Sequence, residues 1–222
     1  MIATVVVAAS TRSSFAQDDR PHAVFVIGTE HYSPQRTMPG LAEQLEANFG
    51  FKITLIMPHE DPEKNEKGLP GLEILENADI AIFFMRFLTL PEDQLGYIER
   101  YLKSGKPVVG FRTSTHAFAY PSGHPLEKWN DGFGRDALGS KYFIHLQGST
   151  EVERPKGVKH PVLRNVNFKT PQTAGGTLYL AELPDDAVVL LEGTGKSKKV
   201  GEVSNAFGTH QLTETMTQPA VW

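Results

Sequence analysis

The 222-residue chain has no cysteine. It therefore forms no disulfide bond, offers no thiolate ligand to a metal ion and has no cysteine nucleophile. It also lacks an excess of positive charge, because 22 Lys and Arg residues stand against 26 Asp and Glu, for a formal net charge of −4. Nothing in that balance neutralises a phosphate backbone, so we predict that nucleic acid is not a partner.

Long apolar runs are also missing. The run Ile2–Ala9 has eight residues, too few to span a bilayer, so we predict no membrane partner. The small residues Ser14 and Ala16 fit cleavage of a secretory signal peptide before Gln17. We therefore predict a signal peptide over residues 1–16 and an exported protein, periplasmic or secreted. Because no basic residues precede the apolar run, an ordinary β-strand is the alternative interpretation.

Short apolar runs alternate with helix-like segments in the first half of the chain. The predicted strands are Ala23–Gly28, Lys52–Met57, Ile80–Met85 and Pro107–Gly110. Apolar periodicity and helix-end signals predict helices from about Thr37 to Phe49, at Gly71–Asn77, and from a capping box at Thr89–Glu92 to Ser104-Gly105. This alternation predicts a parallel sheet with right-handed crossovers, and hence a flavodoxin-like, doubly wound α/β fold.

The second half has a different pattern. Phe118–Gly148 predicts a long excursion over the edge of the sheet. The predicted strands that follow are Leu178–Leu180, Ala187–Leu191 and Val200–Val203, with a turn at Gly193-Thr194-Gly195. We therefore expect a single domain over residues 17–222, with a mainly parallel sheet and a β-rich C-terminal part.

Polar side chains follow each of the four predicted parallel strands. Because the carboxyl ends of such strands open on one edge of the sheet, we expect these side chains to lie close together: Glu30, His31, His59, Glu60, Arg86, Arg112, Ser114 and His116. A carboxylate, an imidazole and a guanidinium in one cleft suit acid–base chemistry and binding of an anionic or hydroxyl-rich ligand. The alternative is that these residues are polar only because they lie in surface loops.

Three other functions are alternatives for these residues: metal binding, glycoside hydrolysis, and flavin or nucleotide binding. A divalent ion would take imidazole and carboxylate ligands, and the candidates are His31, His116, His124, His145 and Glu30. No HExxH or other short paired spacing occurs, so we assign no metal ligands, and the sequence leaves the cofactor unknown. Glu30 with Glu60 or Asp131 would suit glycoside hydrolysis, a mechanism that depends on the separation of the carboxylates. Flavin or nucleotide binding is disfavoured because Thr29–Pro34 lacks a Ser/Thr/Gly-rich phosphate cradle.

The chain resembles the ThuA-like (trehalose-utilisation) family, which is related to the class I glutamine amidotransferases. The matching segments are LEILENADIAIFF, KSGKPVVGFRTSTHAFAY, His124-Pro125, the His145 region, His160-Pro161-Val162, Thr177-Leu178-Tyr179 and Gln218–Trp222. The resemblance covers about Ala23 to Trp222. It implies a flavodoxin-like fold with a bend after the fourth strand, where amidotransferases place a cysteine. Arg112-Thr113-Ser114 occupies that bend here, which rules out glutamine hydrolysis through a thiolate.

The resemblance implies a role in sugar metabolism and a small-molecule, carbohydrate ligand. One hypothesis is an enzyme with His116, Arg112 and Glu30 as catalytic residues, in which substrate is bound by His31, Ser114, Arg86, His124 and His145. The other is a non-catalytic sugar-binding or interaction module. Because similar proteins continue past the Pro-x-x-Trp segment into a further strand, the resemblance also implies truncation after Trp222. The residues leave a homo-oligomer open.

Overall fold

The first half of the chain forms a four-stranded parallel sheet. The structure is a computed structural model that describes residues 19–167 and 171–222, so the predicted signal peptide, residues 1–16, lies outside the described residues. The strands are β1 (His22–Gly28), β2 (Lys52–Ile56), β3 (Ile80–Met85) and β4 (Val108–Gly110), in the order β2-β1-β3-β4. All three strand pairs are parallel, which confirms the four strands predicted here.

Both faces of this sheet are covered by helices. Because successive side chains of a strand point to opposite faces, alternate residues of β1 join different clusters. Phe25 packs with Met38 of helix α1 (Pro34–Phe49). Val24 packs with Ile98 of helix α2 (Glu92–Lys103). Strand β1 is therefore buried along its whole length.

Two helix starts differ from the prediction. The capping box predicted before α2 is wrong, because Pro91 is the N-cap residue and no side chain caps the helix. Thr89 Oγ1 donates instead to the carbonyl of Ala119 at 3.3 Å. Helix α1 begins three residues before the predicted Thr37, at Pro34, where a missing N–H costs no helical hydrogen bond. The segment predicted as a short helix at Gly71–Asn77 is a 3₁₀ helix over Leu72–Asn77.

The second half forms two antiparallel sheets. One has four strands in the order β10-β7-β5-β6: β5 (Gln147–Glu153), β6 (Gln172–Ala174), β7 (Leu191–Lys196) and β10 (Thr215–Val221). The other is the hairpin of β8 (Gly201–Asn205) and β9 (Gly208–Leu212). A small core of this half contains Leu146, Leu178 and Leu212. This half is rich in strands, but of the three strands predicted in it only Val200–Val203 coincides with one, β8. The predictions of strands at Leu178–Leu180 and Ala187–Leu191 are wrong, because residues 178–180 and 187–190 lie outside the strands.

The prediction of a flavodoxin-like, doubly wound, mainly parallel sheet is wrong. Only four of the ten described strands lie in the parallel sheet, and the other six pair antiparallel. After β4 the chain forms a short helix α3 (Trp129–Gly132) and a π-helical turn (Phe133–Ala137) in place of another crossover. Several later strands follow one another through short connections, such as the two residues between β8 and β9, and such connections permit antiparallel but not parallel pairing.

No helix in residues 19–167 and 171–222 is long and apolar enough to cross a membrane.

Candidate functional site

The loops after β1, β3 and β4 meet at the carboxyl edge of the parallel sheet. Strand register places Gly28 opposite Met85, and Phe83 opposite Gly110. The N–H of Arg86 donates to the carbonyl of Gly28 at 3.3 Å. The groups that follow β1, β3 and β4 are therefore brought to one place.

The bend after β4 is fixed to β3 by one buried hydroxyl. It is a 3₁₀ turn over Arg112–His116, and Ser114 within it is fully buried. Ser114 Oγ donates to the carbonyl of Phe83 at 2.8 Å and accepts from the N–H of Met85 at 3.1 Å. The Ser114 side chain, predicted to bind substrate, is thus committed to the backbone of β3. Its role is to hold the bend that presents His116.

His116 lies inside a cage of four aromatic rings, which we call the His116 cleft. Its ring centroid lies 5.0 Å from that of Phe87, 4.4 Å from Tyr142, 6.1 Å from Tyr179 and 6.3 Å from Phe207. The residue is only 5% exposed. Its Nδ1 lies 3.4 Å from Thr115 Oγ1, and its Nε2 has no hydrogen-bond partner within the described part of the chain. The imidazole is therefore almost fully enclosed by its neighbours.

The His116 imidazole is neutral across the physiological pH range. Burial lowers the pKa of His116 to about 3, and the nearby Arg86 guanidinium lowers it further than the more weakly interacting His31, His145 and Arg112 do. A buried cation without a counter-charge is costly, and this cost favours the uncharged ring. Near neutral pH His116 can therefore accept a hydrogen bond, but it is a weak base and does not serve as an imidazolium proton donor.

Two tyrosines supply hydroxyl groups to the His116 cleft. Burial raises the pKa of both Tyr142 and Tyr179, so both phenols stay protonated. Tyr142 Oη lies 2.7 Å from His145 Nδ1, and His145 forms an isolated antiparallel bridge with Tyr179. Burial is the main cause that lowers the pKa of His145, and the positive charge of Arg112 lowers it by a smaller amount. The structure therefore brings the predicted residue His145 to the rim of the cleft.

Arg112 joins the bend to the second half of the chain. Its guanidinium carbon lies 4.5 Å from the ring centroid of Tyr32 and 5.0 Å from that of Tyr179. Its two terminal nitrogens contact Thr177, both at 3.4 Å, and its Nε is buried without a partner. Among the described residues Arg112 has no carboxylate partner. A cation held between two rings in this way is stabilised by their faces.

Arg86, by contrast, is neutralised by a carboxylate that sequence analysis missed. Arg86 Nη1 lies 2.7 Å from Glu63 Oε2, and both side chains are largely buried. The other oxygen of Glu63 accepts from Thr29 Oγ1 at 2.5 Å, and Thr29 Oγ1 also accepts from the N–H of His31 at 3.0 Å. Thr29 thus links the loop after β1 to the ion pair of Arg86 and Glu63 through hydrogen bonds. The guanidinium carbon of Arg86 also lies 4.2 Å from the ring centroid of Phe87.

Two predicted site residues do not contribute side chains to the His116 cleft. Glu30 is exposed, and its side chain has no hydrogen bond or ion pair to another described residue; only its carbonyl is used, by the N–H of Ser33. His124 stacks on Tyr120 with centroids 5.0 Å apart and accepts from the N–H of Leu126. It lines a separate depression of about 340 Å³ that also includes Glu66. The carboxylate that lies at this edge is therefore that of Glu63, which pairs with Arg86, and not that of Glu30.

His31 lies at the exposed side of this edge. Its ring centroid is 4.1 Å from that of Tyr32. Partial burial, and then the charge of Arg86, lower the pKa of His31, while Glu63 opposes them. The neighbouring predictions His59 and Glu60 are exposed. No group of three or more His, Asp or Glu side chains within residues 19–167 and 171–222 is placed to hold one metal ion.

Backbone strain is concentrated around the same edge. Five non-glycine residues in the described chain have positive φ, and four of them are here: Tyr32 at 68°, Ser33 at 54°, Phe87 at 48° and Arg112 at 41°. Side chains with a Cβ rarely adopt this conformation, and it persists only where surrounding contacts impose it. Tyr32, Phe87 and Arg112 all have rings or charges in the cleft, so the strain accompanies the placement of those groups.

Five aromatic residues at this edge were not predicted as site residues: Tyr32, Phe87, Tyr142, Tyr179 and Phe207. The first three lie within three residues of the predicted residues His31, Arg86 and His145, whereas Tyr179 and Phe207 lie near no predicted site residue. Aromatic residues near a histidine are most often ordinary core, so their sequence positions alone carried no signal.

Comparisons with known proteins do not identify a family. No family model matches the chain, and no curated protein matches it. A solved structure described as "mmIFT52 N-terminal domain" is similar to this chain with a TM-score of 0.42 and 13% sequence identity, over 85% of this chain and 83% of that chain. A likeness at this level assigns neither fold nor function.

Proposed function

We propose that this protein is a ThuA-like protein that binds a carbohydrate in the His116 cleft. The observation that carries the proposal is a neutral imidazole enclosed by aromatic rings and bordered by protonated phenols and an Arg without a carboxylate partner. Sugars present apolar C–H faces and polar hydroxyl edges. Aromatic rings pack against the faces, and a small number of placed polar groups recognise the hydroxyls.

The cleft offers both kinds of polar partner that a sugar hydroxyl needs. The Nε2 of His116, which has no partner among the described residues, accepts a hydrogen bond. The phenol of Tyr179 stays protonated because burial raises its pKa, and it offers the ligand the hydroxyl that now hydrogen-bonds Tyr32. The Arg112 guanidinium adds a charge-assisted donor, which is stronger than a neutral one. We infer that Arg112 and Tyr179 position the ligand against His116.

If the protein is an enzyme, His116 acts as the proton acceptor. Its pKa of about 3 keeps it deprotonated, and a proton donor is supplied by Tyr142 or Tyr179 in place of an imidazolium. Glu30 has no part in this scheme, because its carboxylate lies outside the contacts of the cleft.

The alternative function, a non-catalytic sugar-binding module, is favoured by the same pKa. An acid–base catalyst works best when its pKa lies near the working pH, and His116 lies well below it. A base this weak accepts hydrogen bonds well enough for recognition. The two functions differ in whether a bound sugar is converted.

The experiment measures binding and turnover separately. The protein and a His116→Gln variant are titrated calorimetrically with neutral monosaccharides, disaccharides and their keto-oxidised forms, and the incubated mixtures are analysed by mass spectrometry. His124→Gln is the control, because it removes a histidine that stacks on Tyr120 outside the cleft. We expect His116→Gln to weaken binding about tenfold, the equivalent of one lost hydrogen bond, and His124→Gln to leave it unchanged.

Binding without product formation would support the binding module, and product formation lost in His116→Gln would support the enzyme. Absence of binding to every sugar, or equal losses in the two variants, would overturn the proposal.

A further inference from the structure

A second, strongly basic pocket lies away from the His116 cleft, in the connection between β5 and β6. The segment Arg154–Asn167 contains four Lys and Arg residues (Arg154, Lys156, Lys159 and Arg164) and no Asp or Glu. The whole chain carries a net charge of −4, so this local excess of positive charge is opposite in sign to the rest of the protein. A concentrated patch of this kind attracts anions.

The basic side chains line one shallow depression that is open to solvent. It has a volume of about 350 Å³ and is lined by Arg154, Val158, Lys159, His160, Pro161, Leu163 and Arg164. No described Asp or Glu residue lines it. The wall thus combines three permanent cations and an imidazole with short apolar surfaces. Pockets that bind small molecules have this composition of apolar walls with a few convergent polar groups.

The cations of the pocket have no internal counter-charge. Among the described residues, no ion pair involves Arg154, Lys159 or Arg164. Arg154 Nη2 donates to the carbonyl of Val166 at 3.2 Å, and its Nε is buried without a partner. One hydrogen bond therefore anchors the guanidinium while most of its donors are left unused. Lys159 and Arg164 are exposed, so together with Arg154 they present positive charge to solvent, where it attracts an anion.

His160 in the wall of the pocket offers a hydrogen-bond donor. The N–H of Val162 donates to His160 Nδ1 at 3.3 Å. In the neutral ring the proton must then lie on Nε2, which makes the outer nitrogen a donor. The pocket therefore presents donors from Arg154, Lys159, His160 and Arg164.

We propose that this pocket binds the phosphate or sulfate ester group of a small-molecule ligand. Arg recognises tetrahedral oxyanions through its planar, multiply donating guanidinium, and two Arg residues with one Lys supply the charge for a dianion. The site is distinct from the His116 cleft and does not depend on the function proposed for that cleft.

Calorimetric titration of the full chain at fixed ionic strength tests the proposal, with inorganic phosphate, inorganic sulfate and acetate as probes. We expect saturable binding of phosphate or sulfate at one site and weaker binding of acetate. A hexose phosphate and the matching hexose sulfate then distinguish the two sources of the ester: tighter binding of either one identifies the group, and equal binding supports a general oxyanion site.

The variants locate the binding. Arg154→Gln/Arg164→Gln removes two cations of the pocket, and Lys198→Gln/Lys199→Gln removes the same charge from the turn between β7 and β8. We expect the first pair to weaken binding about tenfold or more and the second to change it less than about twofold. Lys159→Gln, which alters an exposed side chain, gives the same test should the double variant fail to fold. No binding, equal binding of acetate, or equal losses in both pairs would overturn the proposal.

Discussion

Gly134 allows the π-helical turn to pack closely against the bend that carries His116. We therefore expect Gly134→Ala to destabilise the protein. A Cβ at this position would fall against the carbonyl oxygen of Thr115 and lie 2.9 Å from the carbonyl oxygen of Ser140. Both atoms belong to the backbone, so they cannot turn away as a flexible side chain would. The Thr115 carbonyl also accepts from the N–H of Tyr142 at 3.1 Å, so any shift of the bend moves a wall of the cleft.

The size of the effect follows from the geometry. Overpacking in a rigid interior costs about 1–3 kcal/mol, and contacts with backbone atoms belong at the upper end of that range. In a chain of this size each kcal/mol changes Tm by roughly 2–4 °C. We therefore expect Gly134→Ala to lower the free energy of unfolding by about 3 kcal/mol and Tm by roughly 6–12 °C.

Gly132→Ala is the matched control, two residues earlier. Gly132 has helical dihedral angles, φ −62° and ψ −43°, and a Cβ there would meet only Asp136 Oδ2 at an ordinary 3.5 Å. Because Ala loses less conformational entropy than Gly in a helix, this variant should gain about 0.5–1 kcal/mol. Urea denaturation followed by the fluorescence of the neighbouring Trp129 measures both. Equal stability of the two variants, or a more stable Gly134→Ala, would refute the close approach.

The remaining predictions concern the His116 cleft itself. Burial holds the pKa of His116 at about 3 in the folded protein against 6.5 in the unfolded chain, so acid protonates the unfolded chain first and the free energy of unfolding falls as pH drops below about 6.5. Between pH 6.5 and about 5, the His116→Gln variant should lose about 2 kcal/mol less of this free energy than the unmodified protein. Urea denaturation at the two pH values measures the difference, and an equal decrease in both proteins would contradict the prediction. Phe207→Ala removes one ring of the cage and should raise the pKa of His116 toward 6.5, which an NMR titration of the imidazole measures; an unchanged value would mean that Phe207 does not shield the ring. Gly176→Ala places a Cβ 2.7 Å from Arg112 Nη1, whereas Gly175→Ala meets nothing within 4 Å; ligand binding in the cleft should weaken in the first variant alone, as calorimetry would show.

The parallel half of the fold could be predicted because its signals are local. Strands such as β3, IAIFFM, are buried on both faces and therefore consist of continuous apolar runs. The antiparallel half gave weaker signals. Most residues of β5, QGSTEVE, are exposed, so the strand has little apolar periodicity and was not predicted.

Glycine at positions 193 and 195 led to the prediction of a turn where the structure has a strand. Both were predicted to form a turn, and both lie inside β7. A Cβ at Gly193 would fall 2.7 Å from the Leu178 side chain, and one at Gly195 would fall 3.1 Å from Leu146. Glycine is present here because side chains from the small core approach the strand closely, which sequence alone does not distinguish from a turn.

The candidate site could be predicted only where its residues are placed by local chain direction. His116 and Arg112 follow a buried strand within a few residues, so their place at the sheet edge depends only on local chain direction. The local carboxylate depends on the path of a long loop, and that path brings Glu63 to Arg86 while Glu30 faces solvent. Sequence order alone could not decide between them.

The walls around His116 come from residues 87, 142, 179 and 207, in both halves of the chain. Each of these contacts closes a long loop, so it carries an entropic cost that the packing of both halves must offset. A ligand of this cleft therefore recognises only the fully assembled molecule. By mass action it also holds the two halves together, so occupancy should appear as slower local opening of the segments at their junction.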